Sequence, residues 1–153
     1  MAALMIRPCT IDASVFLNAF NPAEVGHADS HRLLARLQAE SVPIIVPTLV
    51  LPEIAATISR VRGDSALAQA FANQVSRLPQ VILIALDAAA AGQAVEAAAG
   101  YRLRGSDAVY AAVALRFGTL LITRDDEQYT RLKPALTTYT PLEALATFGR
   151  SET

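Results

Sequence analysis

Residues 81–126, VILIALDAAAAGQAVEAAAGYRLRGSDAVYAAVALRFGTLLITRDD, carry the pattern that decides the fold. Val81 to Leu86 is a short apolar run rich in branched side chains, which predicts a buried strand. Asp87 follows as a helix cap before an alanine-rich stretch, with Gly100 near its expected end and Glu96 expected on the surface. Val81 to Gly100 is apolar enough to raise the question of a membrane span. Asp87, however, divides it into a β-rich half and an alanine-rich half, so a strand and a helix are expected instead. Ser106 to Phe117 reads as a second helix stopped by Gly118, and Leu120 to Thr123 as another strand, with Asp125 and Asp126 close behind it.

The alternation extends in both directions. Upstream, Met5 to Ile11 reads as a strand interrupted early by Pro8, and Val15 to Phe20 as a short helix stopped by Asn21-Pro22. His27 to Ala39 is a helix with Leu33, Leu34 and Leu37 on one stripe. Pro43 to Val46 is a strand, followed by a helix from about Thr48, its candidate N-cap, to Arg60. Asp64 caps a helix reaching Leu78. Downstream, Asp125 to Leu132 is a helix, Ala135 to Tyr139 a short strand, and Leu142 to Phe148 a closing helix introduced by Pro141. Short apolar strands separated by helices imply the α/β class: a single three-layer α/β/α domain over residues 1–153 with a mainly parallel central sheet. In such sheets, sites form at the carboxyl ends of the strands near a topological switch point.

Composition narrows the setting. A chain of 153 residues, 53% hydrophobic, can fill a real core and is not disordered; the apolar surplus leaves room for a dimer interface. Thirteen basic against fourteen acidic residues give a net charge of −1, which by itself does not point to nucleic acid. The lone cysteine, Cys9, forbids an intrachain disulfide and suits a reducing compartment. The start, MAALMIRP, lacks the basic region and long apolar run of a signal peptide, so the cytoplasm is the expected location and no membrane partner is expected.

Four carboxylates stand where the chain passes between strand-like runs and helices: Asp12 in TIDASV, Glu53 in LVLPEI, Asp107 in RGSDAVYAA and Asp125 in LLITRDDE. Each has an ordinary explanation. Asp12 is a typical helix cap, Asp107 sits where a helix dipole stabilises a carboxylate, Asp125 and Asp126 read likewise as first-turn acids, and Glu53 lies beside an apolar stripe. Together in one α/β domain they form a cluster of like charges that is costly to desolvate, and a divalent cation is the simplest compensation. Hard oxygen donors without a nearby Cys or His favour Mg²⁺ or Mn²⁺ over zinc. Assigning four acids to a site also leaves +3 on the rest of the chain, and twelve of its thirteen basic residues are arginines, suited to phosphate.

The order Asp, Glu, Asp, Asp, with TIDASVF, the Pro-Glu-Ile helix near residue 53, GSDAVYAAVA and LLITRDDE, resembles the PIN-domain nucleases over nearly the full chain, and within them the small stand-alone proteins typified by VapC toxins. The resemblance implies a Mg²⁺- or Mn²⁺-dependent endoribonuclease, often a homodimer and often inhibited by a cognate antitoxin. It carries Asp12, Glu53, Asp107 and Asp125 over as the catalytic quartet, with Asp12, Asp107 and Asp125 on the metal and Ser14 and Thr123 as accompanying hydroxyls. Asp126 adjoins Asp125 and is the alternative for the fourth place. The implied reaction is metal-assisted hydrolysis leaving a 5′-phosphate and a 3′-hydroxyl.

Arg102, Arg104 and Arg124 lie near Asp107 and Asp125 in sequence and are candidates for contact with RNA, with a solvated surface as the alternative. His27 and His31 have metal spacing, yet no third ligand supports a zinc site. Tyr110 and Tyr129 read as core or rim residues. An aspartyl phosphotransferase would want an acid two residues after Asp12, where Ser14 stands, and a receiver domain would want a lysine after its penultimate strand, whereas the one lysine, Lys133, precedes Pro134. The remaining competitors are a non-catalytic RNA- or protein-binding module of the same fold and a housekeeping nuclease.

Overall fold

The computed structural model describes residues 6–149. Five strands, β1 (Cys9–Ile11), β2 (Ile44–Pro47), β3 (Val81–Ile84), β4 (Leu120–Ile122) and β5 (Thr138–Tyr139), form one sheet in the order β3-β2-β1-β4-β5. Every pairing is parallel. Eight helices connect and close it: α1 (Ala13–Phe20), α2 (His27–Ala39), α3 (Val50–Arg62), α4 (Ser65–Ser76), α5 (Ala88–Tyr101), α6 (Gly105–Phe117), α7 (Asp126–Leu132) and α8 (Pro141–Gly149). This is the expected three-layer α/β/α domain, with its mainly parallel sheet parallel throughout.

The strand order has a functional consequence. The chain winds outward from β1 through β2 to β3, then crosses back through α5 and α6 to β4 beside β1 and continues outward to β5. Because parallel crossovers are right-handed, reversing the winding direction puts successive helices on opposite faces and opens a crevice between β1 and β4. In register, Ile11 is level with Ile122, so the residues that follow, Asp12 and Thr123, emerge side by side at that crevice.

Local chemistry explains most element boundaries. Asp64 and Asp87 cap α4 and α5 by accepting from the Leu67 and Ala90 amides at 2.9 and 2.8 Å. Gly63 and Gly118 end α3 and α6 in the left-handed conformation, both at φ +64°, where a side chain would be strained. Val50, Ile54 and Ile58 form the buried stripe of α3, each contributing about 1.5–3 kcal/mol by leaving water. Helix α6 is buried on all sides from Asp107 to Ala114; it packs between α5 and the strands β1, β2 and β4, so its carboxylate enters the interior with it.

Several boundaries depart from expectation, among them the start of β5 at Thr138 rather than Ala135 and the end of α4 at Ser76 rather than Leu78. The first strand begins at Cys9: Pro8 has no N–H for the ladder and contributes its carbonyl to the Leu120 amide, while Met5 lies outside the described residues. Leu49, without a side-chain cap bond, occupies the cap position of α3, and Thr48 gives its backbone carbonyl to Leu51. Gly100 lies inside α5, whose left-handed cap is Arg102 at φ +57°. The run at Val81 is an edge strand ending at Ile84, and Ile82 is 47% exposed rather than enclosed. Among the described residues, no helix is long and apolar enough to cross a membrane.

Candidate active site

Asp12, Glu53, Asp107 and Asp125 come from four different elements and line one cleft of about 260 Å³, together with Ser14, Thr57, Arg104, Ser106 and Tyr110. Asp12 follows β1 and caps α1; Asp125 follows β4 and caps α7; Glu53 and Asp107 stand in the first turns of α3 and α6. Asp126, the alternative fourth acid, is exposed as the first residue of α7 and does not line the cleft.

Asp12 is the most enclosed of the four, at 5% exposure. One carboxylate oxygen accepts from the Ser14 amide at 2.8 Å and from the Ser14 hydroxyl. The other accepts from the Thr123 hydroxyl, which the strand register brings alongside. Burial pushes the carboxyl up to about 6, against the opposing pull of those hydroxyl and amide donors and with a further push from the charge of Asp107. Thr123 also accepts from the Asp125 amide at 3.0 Å, and Ser14 from the Arg124 amide at 3.2 Å, so the two hydroxyls tie the end of β1 to the turn after β4.

Glu53 accepts from the Tyr110 hydroxyl at 2.6 Å. Burial raises its proton affinity, Tyr110 lowers it, and the charge of Asp107 raises it again. Asp107 is likewise raised by burial, against the guanidinium of Arg104. Asp125 goes the other way: burial works upward, but the Gln128 amide at 2.8 Å and Arg104 at 2.5 Å prevail and hold it below the usual carboxylate range.

The three arginines of the sequence reading separate in space. Arg104 reaches into the cleft, donating through Nε to Asp107 at 2.9 Å and through Nη2 to Asp125 at 2.5 Å. Arg124 turns away, to Glu24 at 2.6 Å and the Val25 carbonyl at 2.8 Å. Arg102 is exposed at the end of α5. His27 and His31 stack at 5.5 Å on α2, and His27 meets the Asn18 carbonyl at 2.8 Å. Two residues join the site that pattern reading assigned elsewhere or passed over. Tyr110, read as core or rim, is buried and yet holds Glu53; the signal was its place three residues after Asp107 on the same face of α6. Gln128, fully buried, supplies the amide that Asp125 caps and reaches the Asp107 carbonyl through its side chain at 3.4 Å.

The donor set suits a hard divalent cation. It consists of carboxylates backed by hydroxyls, three of them made reluctant to ionise by burial and mutual repulsion, a cost that a bound cation would relieve. Among the described residues, no three His, Cys, Asp or Glu side chains converge into a ready-made cage. Mg²⁺ does not demand one, since it usually keeps several waters and takes one or two carboxylates.

Residues 9–133 match the family model described as PIN domain. The fold is similar to that of Mycobacterium tuberculosis VapC20, a toxin that cleaves the sarcin-ricin loop, at 21% identity and a TM-score of 0.66, over 80% of this chain and 93% of that one. It is also similar to a chain of VapBC2 from Rickettsia felis, solved bound to a DNA fragment from its promoter, at 17% identity and a TM-score of 0.65, over 89% of this chain and 98% of that one. A toxin–antitoxin complex from Klebsiella pneumoniae gives 17% identity and a TM-score of 0.62, over 87% and 97% of the respective chains. No curated protein matches the chain.

Proposed function

The chain belongs to the PIN domain family, and from that premise we propose that it is a Mg²⁺- or Mn²⁺-dependent endoribonuclease acting as the toxin of a toxin–antitoxin pair. The observation that carries this reading is the convergence of four carboxylates on one cleft at the switch point between β1 and β4. The fold shared with a toxin that cleaves the sarcin-ricin loop and with toxin–antitoxin complexes supports the choice of RNA as substrate and of an antitoxin as partner. The reading includes a cytoplasmic location and a homodimer.

Asp12, Asp107 and Asp125 would hold the ion, which supplies a water activated near neutral pH and neutralises charge on the phosphodiester. The protein does the rest. Ser14 and Thr123 aim the Asp12 carboxylate by donating to both its oxygens. Glu53, steadied by Tyr110, orients the attacking water for in-line displacement of the 3′ oxygen, leaving a 5′-phosphate and a 3′-hydroxyl. Arg104, a basic side chain lining the cleft, would meet a phosphate of the RNA.

One observation favours the second reading, a non-catalytic RNA- or protein-binding module: the Arg104 bridge compensates two of the acids without any ion. Incubating total RNA with wild-type protein and Asp12→Asn, each with Mn²⁺ and with chelator, and mapping the ends decides between them. Mn²⁺-dependent cuts lost in the variant are expected; cleavage undiminished by chelator or by the substitution sinks the metal mechanism, and intact RNA throughout favours the binding module.

A further inference from the structure

The guanidinium of Arg104 stands between two carboxylates that the proposed function assigns to a metal ion. It spends Nε on Oδ2 of Asp107 and Nη2 on Oδ2 of Asp125. These are the two carboxylates that would help to hold the cation, and a second positive charge beside them would be repelled by the first. Its setting allows it to leave. Arg104 lies in extended backbone just before α6, at φ −62° and ψ 154°, and its side chain makes no cap bond to the helix. That side chain is 56% exposed, so its pairs are screened and only modestly favourable. Two arginines close to Asp125 in sequence are tied down elsewhere: Arg124 by Glu24 and Val25, Arg131 by Glu127.

We propose that Arg104 is a built-in counter-cation that competes with the divalent ion for Asp107 and Asp125, and that ion binding turns its guanidinium from the acids to the RNA phosphate. The inference rests on the metal-dependent reading of the site. It gives Arg104 two stations, so Asp107 and Asp125 share a compensating charge when metal is absent and the site gains a phosphate donor when metal is present.

The test is a calorimetric titration of Mn²⁺ into the full chain, without RNA, for wild type, Arg104→Ala, Arg104→Lys and the remote control Arg77→Ala, alongside RNA cleavage kinetics. Arg77 caps α4, at the amino end of the sheet away from the cleft. Removing a competitor whose two screened pairs are each weak should tighten Mn²⁺ binding by about three- to tenfold in Arg104→Ala. Arg104→Lys should fall between, Arg77→Ala should match wild type, and the KM for RNA should rise several-fold in Arg104→Ala. The opposite signs are diagnostic, because a merely structural loss would weaken both. Equal or weaker Mn²⁺ binding in Arg104→Ala, or an unchanged KM, overturns the two-station proposal while leaving a metal-dependent nuclease in place. Absence of Mn²⁺ binding in every protein overturns both.

Discussion

Asp12 and Asp125 are written in the same local grammar and end in opposite electrostatic states. Each follows a three-residue, fully buried strand, each caps a helix, and the strands β1 and β4 are neighbours in register. Yet Asp12 is enclosed, bonded only to neutral donors and pushed up to about 6, whereas Asp125 is partly exposed, paired with Arg104 and pulled down. Proton affinity at a strand end is therefore set by depth and by the charge of the partner, both properties of the assembled crevice. The enclosed acid is the one with most to gain from an arriving cation.

The largest effect should come from breaking the enclosed member. Asp12→Asn is expected to reduce RNA cleavage by about two orders of magnitude or more, since it keeps the shape but removes a charge at the reacting centre. The fold should survive it, with metal-free stability at neutral pH unchanged or higher by on the order of 1 kcal/mol, because a buried charge is lost along with one hydroxyl bond. Thermal melts in chelator check the second half of that expectation.

Asp125→Asn tests the other side of the pair. Asparagine still caps α7, and the acid it replaces is more exposed, so cleavage should fall by only about tenfold and stability by less than about 1 kcal/mol. A loss as deep as that of Asp12→Asn would erase the distinction drawn between them.

Acidification should separate the two by sign. The folded pKa of Asp12, about 6, lies above its ordinary 3.8, so between these values the native state holds a proton that the unfolded chain has released. Metal-free stability should therefore fall as pH rises through this window, and Asp12→Asn should flatten the slope. Asp125, whose folded value is depressed, contributes stability above its ordinary pKa that is lost as pH falls through the folded one. Mn²⁺ binding and cleavage should both rise as Asp12 ionises near pH about 6, measured by titrations and rates on either side of it.

Thr123→Val cuts the link between the two turns. It removes the hydroxyl that donates to Asp12 and accepts from the Asp125 amide, and should lower stability by about 1–3 kcal/mol in urea unfolding. The smallest expected effect is at Arg124, whose guanidinium is committed to the loop between α1 and α2. Arg124→Ala should cost about 1 kcal/mol or less and leave the KM for RNA unchanged, in contrast to Arg104→Ala.

Periodicity and punctuation in the sequence determined the alternating elements, the α/β class and the placement of four acids at strand-to-helix junctions. These signals are local: a strand or a capped helix is written within a dozen residues, and the caps at Asp64 and Asp87 with the stop at Gly118 needed nothing else. Errors fell where a local signal had a rival of similar size, as at Thr48 against Leu49 and Gly100 against Arg102. Only the tertiary structure decided that β1 and β4 lie side by side, that Tyr110 holds Glu53, that Asp126 stays outside the cleft lining, and that of three nearby arginines it is Arg104 that enters the cleft. Those outcomes depend on contacts between residues as far apart as Asp12 and Thr123, and on how deeply packing sinks each carboxylate, which no short stretch of sequence encodes.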